Sequence, residues 1–203
     1  MTNSQNRLDT LEEIIYSKVL EVIRLLRESN RRIVLAESCT GGMVSSWFVS
    51  VPGVSDVFCG SMVVYRNDTK SKWLGLDPSE LADPQIGSVS APTSENLARR
   101  VVLLTPEADF GLGITGHLGP GTPEPLSHRI FLVWARRQLD FLSPICTHRD
   151  LNLETSYQED RSAIRSAYQT HSNSNSMSCR RRLQLTATLG ALEFAAQMLC
   201  QTD

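Results

Sequence analysis

The chain lacks any apolar run approaching the roughly 20 residues that a membrane-spanning helix needs, so no membrane segment is expected. It also lacks an excess of positive charge: the formal net charge is −2, and the only dense basic cluster is Arg180-Arg181-Arg182. That argues against a dedicated nucleic-acid binder, whose phosphate contacts require Lys and Arg concentrated on one face. The five cysteines, Cys39, Cys59, Cys146, Cys179 and Cys200, are odd in number, scattered and without a Cys-x-x-Cys. Neither a disulfide framework nor a zinc knuckle is suggested, and a reducing, cytoplasmic setting fits best. His128, His148 and His171 have no partners at metal-ligand spacing and read as surface residues. The polar start Met1-Thr2-Asn3-Ser4-Gln5-Asn6 does not read as a signal peptide, and none is expected. Internal repeats are not evident.

What is present is an ordinary globular composition, 41% hydrophobic and 21% charged over 203 residues, read as one domain spanning 1–203. Leu8 to Leu26 carries apolar residues at helical spacing, with Asp9 or Thr10 as candidate caps. Strands are expected at Ile33–Leu35, Val57–Tyr65, Ala108–Gly116 and Ile130–Ala135, with Ile145–Glu154 as an exposed edge strand. Helices are expected after Gly42, through Trp73, at Asp77–Leu81, from Ser90 through Leu104, over Asp160–Tyr168 and from Leu183 to Leu199. Gln169–Ser178 is polar and low in complexity, as in a loop or insertion. Alternating strands and helices predict an α/β fold, a three-layer α/β/α sandwich with a central mixed sheet.

Three polar stretches fall at strand ends: Glu37-Ser38-Cys39-Thr40-Gly41-Gly42, Tyr65-Arg66-Asn67-Asp68-Thr69-Lys70 and Thr115-Gly116-His117-Leu118-Gly119-Pro120-Gly121. Ligands of open α/β sheets gather at the carboxyl ends of strands, so the three are expected to converge there. They would bring a hydroxyl nucleophile, a phenol, an amine and glycine-exposed amides to one place. A serine hydroxyl attacks a carbonyl only once a base takes its proton, and a lysine with a depressed pKa is one such base. The plainer reading of the first stretch is that Ser38 or Thr40 caps the following helix. Cys39 reads as a small buried thiol and His117 as an exposed loop histidine.

The ordered motifs A-E-S-C-T-G-G, V-P-G-V-S-D-V-F, V-V-Y-R-N-D-T-K and G-I-T-G-H-L-G-P-G, from about Ile33 to Ala135, resemble the CinA C-terminal domain family. Glu159-Asp160-Arg161-Ser162-Ala163-Ile164-Arg165 resembles that family's Gly-Asp-Arg-x-x-hydrophobic-Arg. The resemblance implies a nicotinamide-nucleotide amidohydrolase, which hydrolyses the carboxamide of nicotinamide mononucleotide (NMN) to nicotinic acid mononucleotide and ammonia. It assigns Ser38 as nucleophile, with Tyr65 and Lys70 sharing the roles of base and relay. It gives substrate binding to Glu37, Cys39, Thr40, Gly41, Gly42, Thr115, Gly116, Gly119 and Gly121, with backbone amides of the two glycine-bearing turns expected on the phosphate. No cofactor or metal is implied; the implied partners are the small-molecule nucleotide and a second copy in a homodimer, with no nucleic acid and no membrane. A stand-alone deamidase module is expected, without the pyrophosphatase-like domain that precedes it in longer members. The chain departs from the family at Thr122–Arg129, where Thr-Pro-Glu-Pro-Leu-Ser-His-Arg replaces further glycines. A catalytically silent nucleotide-binding regulator and an amidohydrolase for another small amide are the alternatives.

Overall fold

The computed structural model describes residues 3–119, 126–138, 144–153 and 179–201. Five strands form one sheet in the order β2-β1-β3-β4-β5. They are β1 (Ile33–Glu37), β2 (Phe58–Val63), β3 (Phe110–Gly116), β4 (Arg129–Arg136) and β5 (Ile145–Asn152). β1 runs parallel to both β2 and β3, while β3–β4 and β4–β5 are antiparallel. The sheet is therefore mixed, as the sequence predicted. β1 sends the chain to β2 on one side and has β3 on the other, which makes its carboxyl end a switch point.

The helices are α1 (Asn3–Glu28), α2 (Met43–Val49), α3 (Asn67–Leu74), α4 (Pro78–Ala82), α5 (Ala91–Leu104) and α6 (Cys179–Cys200), with a short 3₁₀ turn at Val54–Asp56. They divide between the two faces because strand side chains alternate. Ile33, Leu35, Phe110, Leu112, Ile114, Leu132 and Trp134 pack with α1, α2 and α6. Val34, Ala36, Val133 and Ala135 pack on the opposite face with α5, Leu74 and Leu81.

β3 shows why its sequence alternates large residues with glycine. A Cβ on Gly111 would lie 2.6 Å from the Ala98 carbonyl oxygen, and one on Gly113 would lie 2.3 Å from that of Ser94. The missing side chains let α5 rest directly on the strand. The Ser94 hydroxyl, fully buried, then lies 3.0 and 2.9 Å from the Gly113 and Phe131 carbonyl oxygens, stitching helix to sheet.

Several boundaries differ from expectation. α1 begins at Asn3, so Asp9 and Thr10 lie inside it rather than capping it; nothing between Asn3 and Thr10 is a Gly or Pro that would stop the helix earlier. Lys70 belongs to the first turns of α3, because the Arg66 N–H donates to the Thr69 hydroxyl at 3.2 Å and starts the helix at Asn67. His128 is buried rather than on the surface, at a left-handed φ of 58°. His148 lies at the surface but has a partner, with its Nε2 2.7 Å from a Glu95 carboxylate oxygen. β5 is the expected edge strand. The expected helix over 160–168, the polar stretch 169–178, His171, Gly121 and the motif 159–165 lie outside the described residues.

Candidate active site

β1 ends at Glu37, and the next residue is fixed from both sides of the strand. The Ser38 N–H donates to the Ile114 carbonyl of β3 at 2.9 Å, and the Val64 N–H donates to the Glu37 carbonyl at 2.8 Å. Ser38 is thus held where three parallel strands end together.

The turn that follows depends on two left-handed residues, Gly41 (φ 64°) and Gly42 (φ 92°), a conformation that side chains disfavour. It folds the chain back so that the start of α2 faces the Glu37 carboxylate. One oxygen of that carboxylate accepts from the Thr40 hydroxyl (2.7 Å) and from the Gly42 and Val44 N–H groups (both 3.1 Å). The other accepts from the Ser45 N–H (2.9 Å) and the Ser61 hydroxyl (3.2 Å). Glu37 is completely buried. It therefore does the capping work that the plainer sequence reading gave to Ser38 or Thr40. The Gly41 N–H goes to the Ser38 carbonyl and the Met43 N–H to that of Thr40.

With the cap supplied by Glu37, the Ser38 side chain is left for another partner. Lys70 reaches it from α3, with Nζ 3.2 Å from Ser38 Oγ and 3.5 Å from the Tyr65 carbonyl oxygen. Lys70 is 2% exposed and Ser38 6%. Burial penalises the ammonium and pushes the Lys70 pKa below its ordinary 10.5. A buried amine with a lowered pKa, at hydrogen-bonding distance from a serine hydroxyl, has the parts of a nucleophile–base pair.

Tyr65 joins this pair through its backbone. Its phenol is exposed and instead accepts a hydrogen bond from Arg180 Nη2 at 2.8 Å. Arg180 lies in the first turn of α6, with its guanidinium 6.0 Å from the Tyr65 ring centroid and Nη1 3.4 Å from the Leu118 carbonyl oxygen. One turn further along α6, Gln184 Nε2 donates to the Cys39 carbonyl at 3.2 Å. Arg180, one of the basic cluster, thus bridges the second and third polar stretches.

The remaining predicted site residues divide by what already occupies them. Glu37, Thr40 and Gly42 are consumed in the cap, so that set of amides and oxygens is not open to a ligand while the cap stands. The Cys39 side chain is 2% exposed in the core, and burial pushes its thiol up to about 12, which makes it unreactive. Gly41 is exposed at the turn. Thr115 is buried, its hydroxyl donating to the Ser88 carbonyl at 3.0 Å. Gly116 is required by packing, since a Cβ there would sit 2.6 Å from Ile130 Cγ2. Gly119 makes room for Arg180, whose Nη1 would lie 3.2 Å from a Cβ at that position. His117 is half-buried rather than exposed, and burial lowers its pKa.

The profile of the CinA C-terminal domain matches residues 16–172. A CinA-like protein of Thermotoga neapolitana is 36% identical over 151 residues, covering 65% of this chain and 36% of the relative. Another, from Thermotoga maritima, is 36% identical over 146 residues, covering 71% and 32%. This chain thus spans about a third of the length of these relatives. Among solved structures, competence damage-inducible protein A from Klebsiella pneumoniae superposes with a TM-score of 0.72 at 17% identity, covering 93% of this chain and 99% of that one. A competence/damage inducible protein from Agrobacterium tumefaciens gives 0.70 at 23% identity, covering 93% and 96%. These structural likenesses concern the fold.

Proposed function

The chain belongs to the CinA C-terminal domain family, and from that premise we propose that it is an amidohydrolase acting on the carboxamide of NMN, with Ser38 as nucleophile and Lys70 as base. The observation that carries this reading is the buried Ser38–Lys70 contact of 3.2 Å, with a lysine whose pKa burial lowers. As Ser38 Oγ bonds to the amide carbon, the Lys70 amine takes the hydroxyl proton. The ammonium returns that proton to the amide nitrogen as the C–N bond breaks, ammonia leaves and an ester to Ser38 remains. Water then attacks the ester carbon, Lys70 takes a proton from it, and that proton passes to Ser38 Oγ as the ester breaks. Nicotinic acid mononucleotide is released and the pair is restored.

In this reading the backbone amides of the turn after Ser38 serve the developing oxyanion. A well-aimed donor of this kind is worth about 3–4 kcal/mol in the transition state. Tyr65 contributes through its carbonyl, which helps to hold Lys70, and through its phenol, which holds Arg180.

The test is release of ammonia from NMN by the purified protein in the presence of EDTA, with Ser38→Ala beside it. Wild-type turnover that Ser38→Ala abolishes, in a variant with an unchanged melting temperature, is the expected outcome. NMN that binds without turnover would overturn the deamidase reading in favour of a silent nucleotide-binding protein. Undiminished turnover in Ser38→Ala would remove the nucleophile assignment.

A further inference from the structure

The face of the sheet on which Ser38 stands can be followed along two strands. On β3, a Cβ on Gly111 or Gly113 would press on α5, and the Thr115 hydroxyl reaches the Ser88 carbonyl just ahead of that helix. Side chains two residues apart in a strand share a face, so His117 continues this series. The β3–β4 ladder extends that far, because the His117 N–H donates to the Arg129 carbonyl at 3.0 Å. On β1, Ala36 packs on the same α5 side, and Ser38 follows two residues later. Lys70 reaches Ser38 from α3, whose Leu74 belongs to that same cluster. Lys70, Ser38 and His117 thus share one face at the carboxyl end of the sheet, in the strand order β2, β1, β3.

The register sets their spacing. Glu37 aligns with Ile114, so Ser38 aligns with Thr115 and His117 lies two residues further on. One strand across and two residues along separates the Ser38 and His117 Cα atoms by about 8 Å. Among the described residues the half-buried His117 imidazole has no hydrogen-bond or ion-pair partner. An acyl carbon bonded to Ser38 carries three other groups. Its oxygen faces the turn into α2, and its leaving nitrogen faces Lys70 on the β2 side. The third group, which in NMN is the pyridine ring, is left to the β3 side and His117. Stacked or edge-on aromatic rings sit about 4.5–7 Å apart between centres, a spacing that fits this gap.

The ring of NMN is quaternised at nitrogen and is a cation at every pH. A neutral imidazole offers such a ring an aromatic surface, whereas an imidazolium would repel it. Burial lowers the His117 pKa from 6.5, so the imidazole is neutral at neutral pH and above. The charged and titratable groups on the neighbouring elements are Lys70 and Tyr65 on the β2 side, Arg180 on α6 and Glu95 on α5. Next to the His117 ladder contact stand His128 and the Arg129–Asp150 pair. None of these contributes to the shift, which comes from burial alone.

We propose that His117 is a specificity residue whose neutral imidazole walls the β3 side of the site and packs on the cationic ring of the substrate. It makes the site selective for a quaternised pyridine carboxamide over an uncharged aromatic amide. This rests on the amidohydrolase reading of the same site and adds to it the group that reads the ring.

Nicotinamide riboside is the probe, because it carries the ring charge without a phosphate that titrates. Its binding is measured by calorimetry to the full chain as Ser38→Ala, alone and combined with His117→Gln or His117→Lys, at about pH 5 and about pH 8. Affinity for Ser38→Ala should fall about fivefold or more at the lower pH. Glutamine should hold the higher-pH affinity within about threefold and remove the pH dependence. Lysine, a fixed charge, should lower the higher-pH affinity about tenfold or more. Nicotinamide, whose ring is uncharged at both pH values, should bind the glutamine and lysine variants alike. An undiminished pH dependence in His117→Gln, equal riboside affinities for glutamine and lysine, or no riboside binding at all would overturn the proposal. Turnover of NMN by the wild type is read separately. Turnover beside riboside binding that ignores His117 removes this inference and keeps the deamidase; binding that follows His117 without turnover does the reverse. Should His117→Lys fail to fold, the pH dependence in Ser38→Ala and its loss with glutamine decide the matter.

Discussion

Replacing Glu37 tests the geometry of the nucleophile turn without reference to any substrate. Its carboxylate is fully buried and accepts five hydrogen bonds, three of them from backbone N–H groups at the start of α2. Glutamine keeps the shape but must put an NH₂ where one oxygen was. Its better placement sacrifices the oxygen that faces Ser45 and Ser61, because the Ser61 hydroxyl can turn to accept while the Ser45 N–H cannot. That strands one buried amide, a cost of about 1–3 kcal/mol, so Glu37→Gln should lose about 2 kcal/mol. Alanine strands all three amides, and the loss should be at least about 4 kcal/mol, at the upper end of what single substitutions do. Urea titration followed by far-UV circular dichroism reads both. With a slope of about 2 kcal/mol per molar, glutamine should lower the midpoint by about 1 M and alanine by about twice that. Equal midpoints for Glu37→Gln and wild type would refute the cap, and equal losses for Gln and Ala would refute the claim that one oxygen is replaceable.

Further outcomes follow from single contacts. Lys70 has a folded-state pKa below its unfolded value of 10.5, so between the two the unfolded chain binds more protons and stability should rise with pH; below the folded pKa the cost of burying the ammonium is present in full. Lys70→Met should flatten that rise and abolish NMN turnover, and an unchanged slope in urea titrations across alkaline pH would contradict the assignment. The acid limb of the wild-type turnover profile should have its midpoint below 10.5 for the same reason. Cys39, with its thiol raised to about 12 and 2% exposed, should resist iodoacetamide in the native state, and Cys39→Ala should keep turnover within about threefold; a hundredfold loss would bring the thiol into the chemistry. Gly113→Ala would press a methyl group into the Ser94 carbonyl at 2.3 Å and the Ala98 nitrogen at 2.8 Å, both backbone atoms of α5. It should cost about 3 kcal/mol or more in thermal or urea unfolding, and a wild-type melting temperature would show that the helix yields.

Most of the sheet was legible because its signals are local. Strand length, β-branched content and turn residues placed β1 to β5 within a few residues, and the edge character of β5 showed in its polar alternation. The meeting of Ser38 with Lys70 was legible too, through motifs that sit at the ends of adjacent parallel strands. The use of Glu37 was not. Its partners lie three, five, seven and eight residues on and at Ser61, a set that only the two left-handed glycines bring together. Arg180 was equally hidden, 115 residues from Tyr65 and 62 from Leu118, in a run that reads as any charged helix start. The burial of His128 depends on a left-handed backbone that nothing in its neighbours announces.

The way the two buried ionisable groups of this site are oriented bears on whether the chemistry works at all. Glu37 and Lys70 are both almost fully enclosed, Glu37 next to Ser38 in the chain and Lys70 hydrogen-bonded to it, yet the carboxylate spends its hydrogen bonds on the α2 turn and Ser61 and none on the amine. Had the carboxylate turned toward the amine, the pair would have stabilised the ammonium and opposed the lowering of its pKa by burial. The turn at Gly41 and Gly42 prevents this by wrapping the α2 amides around the carboxylate, so its charge is consumed by the helix start. Lys70 is left with a neutral hydroxyl and a neutral carbonyl as partners, and desolvation then acts on it without opposition from that carboxylate. Loosening the cap therefore has a consequence beyond stability. A Glu37 freed to rotate would pull the Lys70 pKa upward, and the acid limb of turnover would move to higher pH with it.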